Sequence, residues 1–320
     1  MLIFFYILIH NIIPIFFLIS LGYILDKKFN FDMHTLSKIN FYVYVPGFAF
    51  LQTYESKIPK TMIKVALCSF ILLFMNYIVG YFFSKIRKFD TSNKYTFINS
   101  LMFFNSGNIG IPLMALVFSS KPFIVNGQTP YLELAMTTQT IIFIIQSTST
   151  NTIGLYNASH GKLSVMDSVK SVLTMPIIYA IPLAFILKVV PYDISKIPIW
   201  SSLVYIKNGM IAFVLIILGA QLSKTPFKFN NKDIYLSNIM RQLVCPLFAY
   251  IIIKSLGITG VMAETMFIAS GLPTAVNTAL IAVECDNNPD YASQIVMSST
   301  LLSSITLVFI VILSRILFPI

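Results

Sequence analysis

Two short stretches carry residue types that could bind a solute inside an otherwise apolar chain. Residues 105–112 read Asn-Ser-Gly-Asn-Ile-Gly-Ile-Pro, and residues 269–277 read Ala-Ser-Gly-Leu-Pro-Thr-Ala-Val-Asn. Proline lacks an N–H and clashes with the carbonyl four residues back, whereas glycine lets the backbone leave helical geometry. We therefore expect a helix to kink or unwind at each stretch. Half-helix ends exposed there would offer N–H groups that bind anions and carbonyls that bind cations.

Asparagines complete this candidate site. Asn108 and Asn277 offer amide donors and an acceptor without a buried charge, so together they could hold a carboxylate. The predicted substrate-binding residues are Asn105, Gly107, Asn108, Gly110, Pro112, Gly271, Pro273, Thr274 and Asn277. Candidates for a cation-binding or supporting role are Thr138, Gln139 and Gln294. The alternative is that glycine and proline serve only packing and kinks, as they often do in membrane helices.

Composition indicates the elements that must position these residues. The 320 residues are 57% hydrophobic and 11% charged, with a mean hydropathy of +0.81. Soluble domains carry about 25% charged residues, so these charges are too few to coat a soluble surface. A soluble enzyme, a disordered chain and a disulfide-rich secreted domain are excluded.

Apolar runs bounded by charges and turn residues predict an all-α polytopic membrane protein with ten transmembrane helices. The predicted spans are 2–25, 35–54, 62–84, 95–119, 131–156, 171–190, 199–222, 234–256, 261–285 and 291–318. Lysine and arginine are more frequent in the loops that an outside N-terminus places in the cytoplasm. We therefore predict a multi-pass protein of the cell (inner) membrane with the N- and C-termini outside.

The two interrupted stretches occupy matching places in two halves of the chain. Each lies in the fourth span of a five-span half, with 1–157 as the first half, 158–170 as a short connecting loop and 171–320 as the second half. Because five is odd, the second half must insert upside down relative to the first. Paired broken helices in such inverted repeats are typical of the sites of alternating-access transporters.

Other charged and polar residues are assigned less specific places. Arg241 could attract an anion, but we predict that Arg241 and Lys207 reach from their spans to the interface with the headgroups. Glu133, Glu264 and Glu284 are placed at span ends, and Asp26 in a loop. Pro14 and Pro46 are expected to kink the first and second spans.

The absence of catalytic and cofactor motifs from the sequence argues against an enzyme. The sequence has no HExxH, GxSxG or P-loop pattern, and no loop is long enough for a nucleotide-binding domain. Cys68, Cys245 and Cys285 show no metal-binding spacing. The net charge of +10 is spread over short loops, which favours contact with membrane lipids over nucleic acid. We expect no cofactor or metal, apart from a sodium ion as a candidate coupling ion.

Five motifs in the right order resemble the auxin efflux carrier family, which includes plant PIN proteins and bacterial permeases for malate or malonate. They are 45–50 (Val-Pro-Gly-Phe-Ala-Phe), 105–112, 218–222 (Leu-Gly-Ala-Gln-Leu), 271–277 and 292–306. The resemblance covers essentially the whole chain, although the chain lacks the large central cytoplasmic loop of the plant members.

The resemblance implies two inverted five-helix repeats whose broken fourth and ninth helices cross at the substrate site. The fold would be similar to that of bile-acid/sodium symporters and some sodium–proton antiporters. Helices 1, 2, 6 and 7 would form a scaffold and homodimer face, and helices 3–5 and 8–10 a moving transport domain. Pro112 and Pro273 would be the crossover prolines, with Asn108 and Asn277 beside them.

The sequence thus predicts a secondary or facilitative transporter of a small organic anion, such as an auxin-like or dicarboxylic acid. Two alternatives stay open. One is a sodium-coupled symporter of a bile-acid-like substrate, and the other is a membrane receptor or partner-binding module that transports nothing.

Overall fold

The helices follow the apolar runs of the sequence. The computed structural model describes residues 2–55, 61–159, 173–225 and 231–320. Within these ranges the helices are α1 (2–29), α2 (33–55), α3 (Met62–Ile86), α4 (Thr91–Met102), α5 (Ser106–Phe118), α6 (132–158), α7 (Ile177–Val189), α8 (Trp200–Ser223), α9 (Lys232–Ser255), α10 (Gly260–Ser270), α11 (Val276–Glu284) and α12 (Pro289–Leu317). The predicted connecting loop lies outside the described residues from residue 160 onward.

Polar side chains at the loops fix where several helices begin. Asp90 accepts a hydrogen bond from the Asn93 N–H (2.7 Å) at the start of α4. Asn231 accepts one from the Asp233 N–H (2.9 Å) at the start of α9. Each side chain satisfies an N–H that has no partner in the first turn of a helix, so the helix starts stay at the loops.

Five helices of the described chain are long and apolar enough to cross a membrane: Ile3–Phe29, α3, α8, α9 and α12. Other predicted spans are shorter, interrupted or more polar. The fourth is divided into α4 and α5, the ninth into α10 and α11, and α2 and α6 carry many polar side chains. The sequence prediction of ten spans therefore goes beyond the five helices that length and composition identify.

Four prolines inside the helices follow π-helical turns. The π turns Leu8–Ile12, Asn40–Tyr44, Ser106–Gly110 and Met240–Val244 each end two residues before a proline, namely Pro14, Pro46, Pro112 and Pro246. A proline cannot bond to the carbonyl four residues back and its ring clashes with it. The extra residue of a π turn accommodates that mismatch, so each helix continues past its proline.

Helices α1 and α8 approach each other closely at two glycines. A Cβ on Gly22 would overlap the carbonyl oxygen of Ile216, and a Cβ on Gly219 would overlap the carbonyl oxygen of Ile19. Small residues let membrane helices approach until their backbones touch, and dispersion contacts then stabilise the pair.

Asp26 lies in α1 and not in a loop, which corrects the sequence prediction. Its side chain is 3% exposed and accepts hydrogen bonds from the Phe31 N–H (2.9 Å) and the Ser223 hydroxyl. Lys224 Nζ lies 3.1 Å from the carboxylate. These contacts join the ends of α1 and α8, which gives the buried carboxylate the partners it needs.

The helix contacts fall into two groups. In the first group α1 packs on α8, and α2 packs on α7 and α8. In the second group α3 packs on α4, α6 on α5 and α10, and α12 on α9, α10 and α11. Contacts between the groups are fewer, and α2, α8 and α12 provide several of them. The candidate site lies where the groups meet.

Candidate functional site

The two interrupted helices meet through their backbones. Helix α4 ends at Met102 and α10 at Ser270, and the chain is not helical at 103–105 and 272–275. The N–H of Asn105 donates to the carbonyl of Pro273 (2.8 Å), and the N–H of Ala275 donates to the carbonyl of Phe103 (2.9 Å). Phe104 and Thr274 form an isolated antiparallel bridge between these bonds. Four helix ends therefore lie around one short pair of extended segments.

Hydrogen bonds from side chains hold the unwound residues. Thr274 donates its hydroxyl to the carbonyl of Ser100 (3.0 Å), and its N–H donates to Ser299 Oγ (3.2 Å). The N–H of Phe104 donates to Gln146 Oε1 (3.4 Å). Backbone groups freed from a helix inside a membrane protein need such partners, so α4, α6 and α12 fix the conformation of the break.

Asn105 starts the helix that follows the first break. Its Oδ1 accepts a hydrogen bond from the N–H of Asn108 (3.1 Å) at the start of α5. Its Nδ2 has no hydrogen-bond partner although the residue is only 5% exposed. A buried unpaired donor is costly, so this amide group is available for an acceptor in the adjacent cavity.

A small cavity lies against the two breaks. Its volume is about 40 Å³, enough for one or two water molecules. The predicted residues Asn105, Gly107, Asn108 and Asn277 all line it. The other lining residues are Asn40, Phe41, Val45, Phe104, Ser106, Phe143, Gln146, Ser147, Thr150, Met210, Ala275 and Val276. The structure thus brings both predicted asparagines to one cavity.

A larger cavity of about 280 Å³ adjoins the small one. The two share Asn277, Phe41, Val45 and Ser147. The rest of its wall is mainly apolar and includes Tyr42, Met175, Pro176, Ile177, Leu280 and Ile281. Polar asparagine groups therefore stand at the inner end of a space whose outer wall is hydrophobic.

Cavities on the two faces of the protein relate differently to the breaks. A cavity of about 570 Å³ near His34, Lys224 and Asp290 shares Leu280 with the 280 Å³ cavity. On the opposite face, a cavity of about 500 Å³ near Glu55 and Glu133 shares no lining residue with the small cavity. The breaks thus adjoin open space on the face of residues 30–32.

The predicted glycines make close approaches to protein groups. A Cβ on Gly107 would lie 2.7 Å from the ring of Phe143, and one on Gly110 would overlap Gln139. A Cβ on Gly271 would lie 2.8 Å from Ile310. Of the three, Gly107 lines the small cavity. Gly110 and Gly271 instead allow α6 and α12 to pack tightly.

Pro112 lies away from the unwound residues, in contrast to the predicted crossover position. It falls at the first turn of an α-helical segment within α5, after the π turn Ser106–Gly110. The π turn absorbs the clash that was expected to unwind the helix there. Pro273, by contrast, lies in the break, and its carbonyl accepts the bond from Asn105.

Of the three candidates for a cation-binding or supporting role, only Gln139 forms a hydrogen bond with the described residues around the breaks. Gln139 is fully buried and its Nε2 donates to the carbonyl of Ser106 (2.7 Å), which supports the start of α5. Thr138 donates to the carbonyl of Leu134 (2.8 Å) within its own helix. Neither Thr138 nor Gln294 lines a cavity that adjoins the breaks.

Arg241 lies at the crossing and not at a headgroup interface, which corrects the sequence prediction. The residue is fully buried in α9. Its guanidinium donates to the carbonyls of Leu101 (2.6 Å), Leu272 (3.3 Å) and Ser270, and it lies 4.9 Å from the centre of the Phe104 ring. The signal in the sequence was an arginine inside an apolar run, but its three carbonyl partners come from distant segments.

Two other charged residues in the apolar runs have partners within the protein. Glu264 lies one turn inside the start of α10, is 1% exposed and accepts a hydrogen bond from Ser314 (3.1 Å) near the end of α12, so it is buried although it is close to a span end. Lys207 forms an ion pair with Glu55 beside the 500 Å³ cavity. Buried charge in a membrane protein is costly and needs such partners.

Comparison with known proteins agrees with this architecture. Residues 159–311 match the family model described as membrane transport protein. An uncharacterized transporter from Methanothermobacter thermautotrophicus is 23% identical over 304 residues, which is 93% of this chain and 95% of that protein. The match to that relative includes both interrupted stretches. These two similarities support the resemblance to membrane transporters that the motifs indicated, and the chain is a multi-pass membrane protein.

Proposed function

We propose that this protein is a secondary or facilitative transporter of a small organic anion, which binds where the two broken helices meet. The observation that carries the proposal is the small cavity lined by Asn105, Asn108 and Asn277. The first turns of α5 and α11 also face this region, and the N-terminal end of a helix attracts negative charge. Amide donors and helix ends together favour a carboxylate.

The shape of the two adjoining cavities suggests which carboxylate. The small cavity has room for little more than a carboxylate group, whereas the 280 Å³ cavity beyond Asn277 is mainly apolar. Among the described residues that line it, the one charged side chain is that of Glu284, which would repel a second carboxylate. We therefore favour a monocarboxylate with an apolar body over a dicarboxylate.

The two helix groups support an alternating-access mechanism. One wall of the small cavity belongs to the first group, through Asn40 and Val45 in α2 and Met210 in α8. The opposite wall belongs to the second group, through α5, α6 and α11. Movement of the second group along the first, as a transport domain along a scaffold, would carry the bound anion between the faces. The same proposal includes two inverted five-helix repeats and a homodimeric protein.

The conformation corresponds in this proposal to a state open towards the face of residues 30–32. By the distribution of lysine and arginine this face is cytoplasmic. The opposite side is closed near Gln52, whose Nε2 lies 3.5 Å from Thr137 Oγ1 across the two groups. The small volume of the inner cavity requires the second group to shift slightly when an anion enters.

The test is current or tracer flux in liposomes that contain the purified protein. We expect saturable flux of phenylacetate, weaker flux of succinate, and the same flux with and without a sodium gradient. A sodium requirement would convert the mechanism to symport. No flux of any acid, in either current or isotope counterflow, together with a partner protein that purifies with the chain, would refute transport in favour of a receptor.

Asn277→Ala tests the site itself. It removes the amide shared by the two cavities, so we expect phenylacetate flux to fall to background while the protein elutes as a single folded species. The matched control is Asn126→Gly, in an exposed turn whose φ of 52° suits glycine. Flux that Asn277→Ala leaves at the level of the control would place the anion elsewhere.

A further inference from the structure

We propose that Arg241 gives the crossing its preference for anions, by neutralising the two helix ends that would repel them. This inference rests on the transport of an organic anion at the same cavity. It assigns a role in charge selectivity to a residue that does not line that cavity.

The argument starts from the four helix ends at the breaks. Helices α4 and α10 end there, so each directs carbonyl groups and a partial negative charge at the crossing. Helices α5 and α11 begin there, so each directs N–H groups and a partial positive charge at it. Each end is equivalent to about half an elementary charge. Left alone, the four ends nearly cancel and favour neither sign of solute.

Arg241 contacts both negative ends. Leu101 belongs to the last turn of α4, and Ser270 and Leu272 lie at the end of α10. The guanidinium donates a hydrogen bond to each of these three carbonyls. One fixed positive charge thus compensates the two negative ends, and the positive ends of α5 and α11 are left without compensation.

The charge of Arg241 has no acidic counterpart nearby. Among the described residues no carboxylate lies within 4 Å of the guanidinium. The ring of Phe104 stacks on the guanidinium and also lines the small cavity. The arginine is thus one aromatic ring away from the solute, which is close enough to act electrostatically in a poorly polar interior.

A second observation points to an anion in this cavity. The Nδ2 of Asn105 is buried and has no acceptor, and Asn105 is one of the residues that line the cavity. The Oδ1 of the same side chain already accepts from Asn108, so its orientation is fixed. The unpaired group of Asn105 is therefore a hydrogen-bond donor, and a carboxylate oxygen would be a suitable acceptor for it.

Arg241→Gln and Arg241→Lys test the role of the charge. In liposomes we would compare the inhibition constants of phenylacetate and its uncharged analogue phenylacetamide, with flux of the best-transported acid of the panel as the readout. Loss of the charge by Arg241→Gln should weaken phenylacetate on the order of tenfold and phenylacetamide much less. Arg241→Lys keeps the positive charge and should therefore keep the discrimination between phenylacetate and phenylacetamide. A purely structural role would weaken both compounds equally.

A second pair of variants covers the case in which Arg241→Gln does not fold. Cys245 is buried in α9, four residues beyond Arg241. Cys245→Asp places a carboxylate beside the guanidinium and cancels its charge, whereas Cys245→Asn is the matched neutral control. We expect the aspartate variant alone to lose discrimination against the neutral analogue.

The outcomes separate this inference from the proposed function. Wild-type protein that moves no acid refutes the proposed function and this inference with it. Wild-type protein that moves an acid, with discrimination unchanged in Cys245→Asp and in any folded Arg241→Gln, refutes the role of Arg241 and leaves the transport site standing.

Discussion

Replacing Gly219 by alanine should loosen the contact between α1 and α8. A Cβ at this position would overlap the carbonyl oxygen of Ile19 and lie 2.8 Å from the backbone nitrogen of Tyr23. Because these are backbone atoms, no rotamer change can relieve the clash, and the helices must separate by about 1 Å. Separation on that scale forfeits a quarter to a half of the dispersion energy of each contact.

The expected magnitude follows from two opposing effects. Overpacking of a tight contact costs about 3 kcal/mol at its upper range, and alanine returns about 1 kcal/mol of helix propensity over glycine. The net loss is about 2 kcal/mol, which for a protein of this size lowers the Tm by about 3 °C.

The assay is thermal unfolding in detergent, followed with a thiol-reactive dye that reports exposure of the buried thiols of Cys68 and Cys245. Gly209→Ala is the matched control in α8, since its Cβ would meet only the flexible ring of Tyr44 at 3.3 Å. We expect the control to match or exceed the wild-type Tm. If Gly219→Ala is as stable as Gly209→Ala, backbone contact does not hold the α1–α8 pair.

Two further variants test the break and the contact between the ends of α1 and α8. Ala275→Pro removes the N–H that donates to the Phe103 carbonyl, so phenylacetate flux should be lost. The control Ala275→Gly keeps the N–H and should keep the flux. Flux in the proline variant would show that this hydrogen bond is dispensable. Asp26→Asn leaves the Ser223 hydroxyl and Lys224 without their carboxylate, so the free energy of unfolding should fall by about 1–3 kcal/mol; a thermal unfolding curve that matches the wild type would contradict this.

The sequence predicted where the helices break better than how they break. Gly, Pro and Asn in an apolar run mark both stretches, and Asn108 and Asn277 do line one cavity. The clash of Pro112 with the preceding turn was expected to kink or unwind the helix at that proline, but a π turn absorbs the clash. The unwound residues lie at 103–105 instead, because their partners are backbone groups of a segment distant in the chain.

Charged residues inside the apolar runs were placed less well, for a related reason. Arg241 was assigned to the headgroup interface and Glu264 to a span end, in both cases from its position within the apolar run. The structure gives each of them buried partners from other helices: carbonyls of α4 and α10 for Arg241, and Ser314 for Glu264. Such partners cannot be read from local sequence, since they depend on which helix ends the fold brings together.

The bridge at the crossing consists entirely of main-chain atoms. Its donors are the N–H groups of Asn105 and Ala275, and its acceptors are the carbonyls of Pro273 and Phe103. Any residue other than proline supplies the same N–H, so this bridge does not itself depend on which side chains line the cavity beside it. Cavity-lining residues such as Ser147 and Val276 can therefore be exchanged during evolution or engineering to suit a different solute, while the crossing that positions it is preserved.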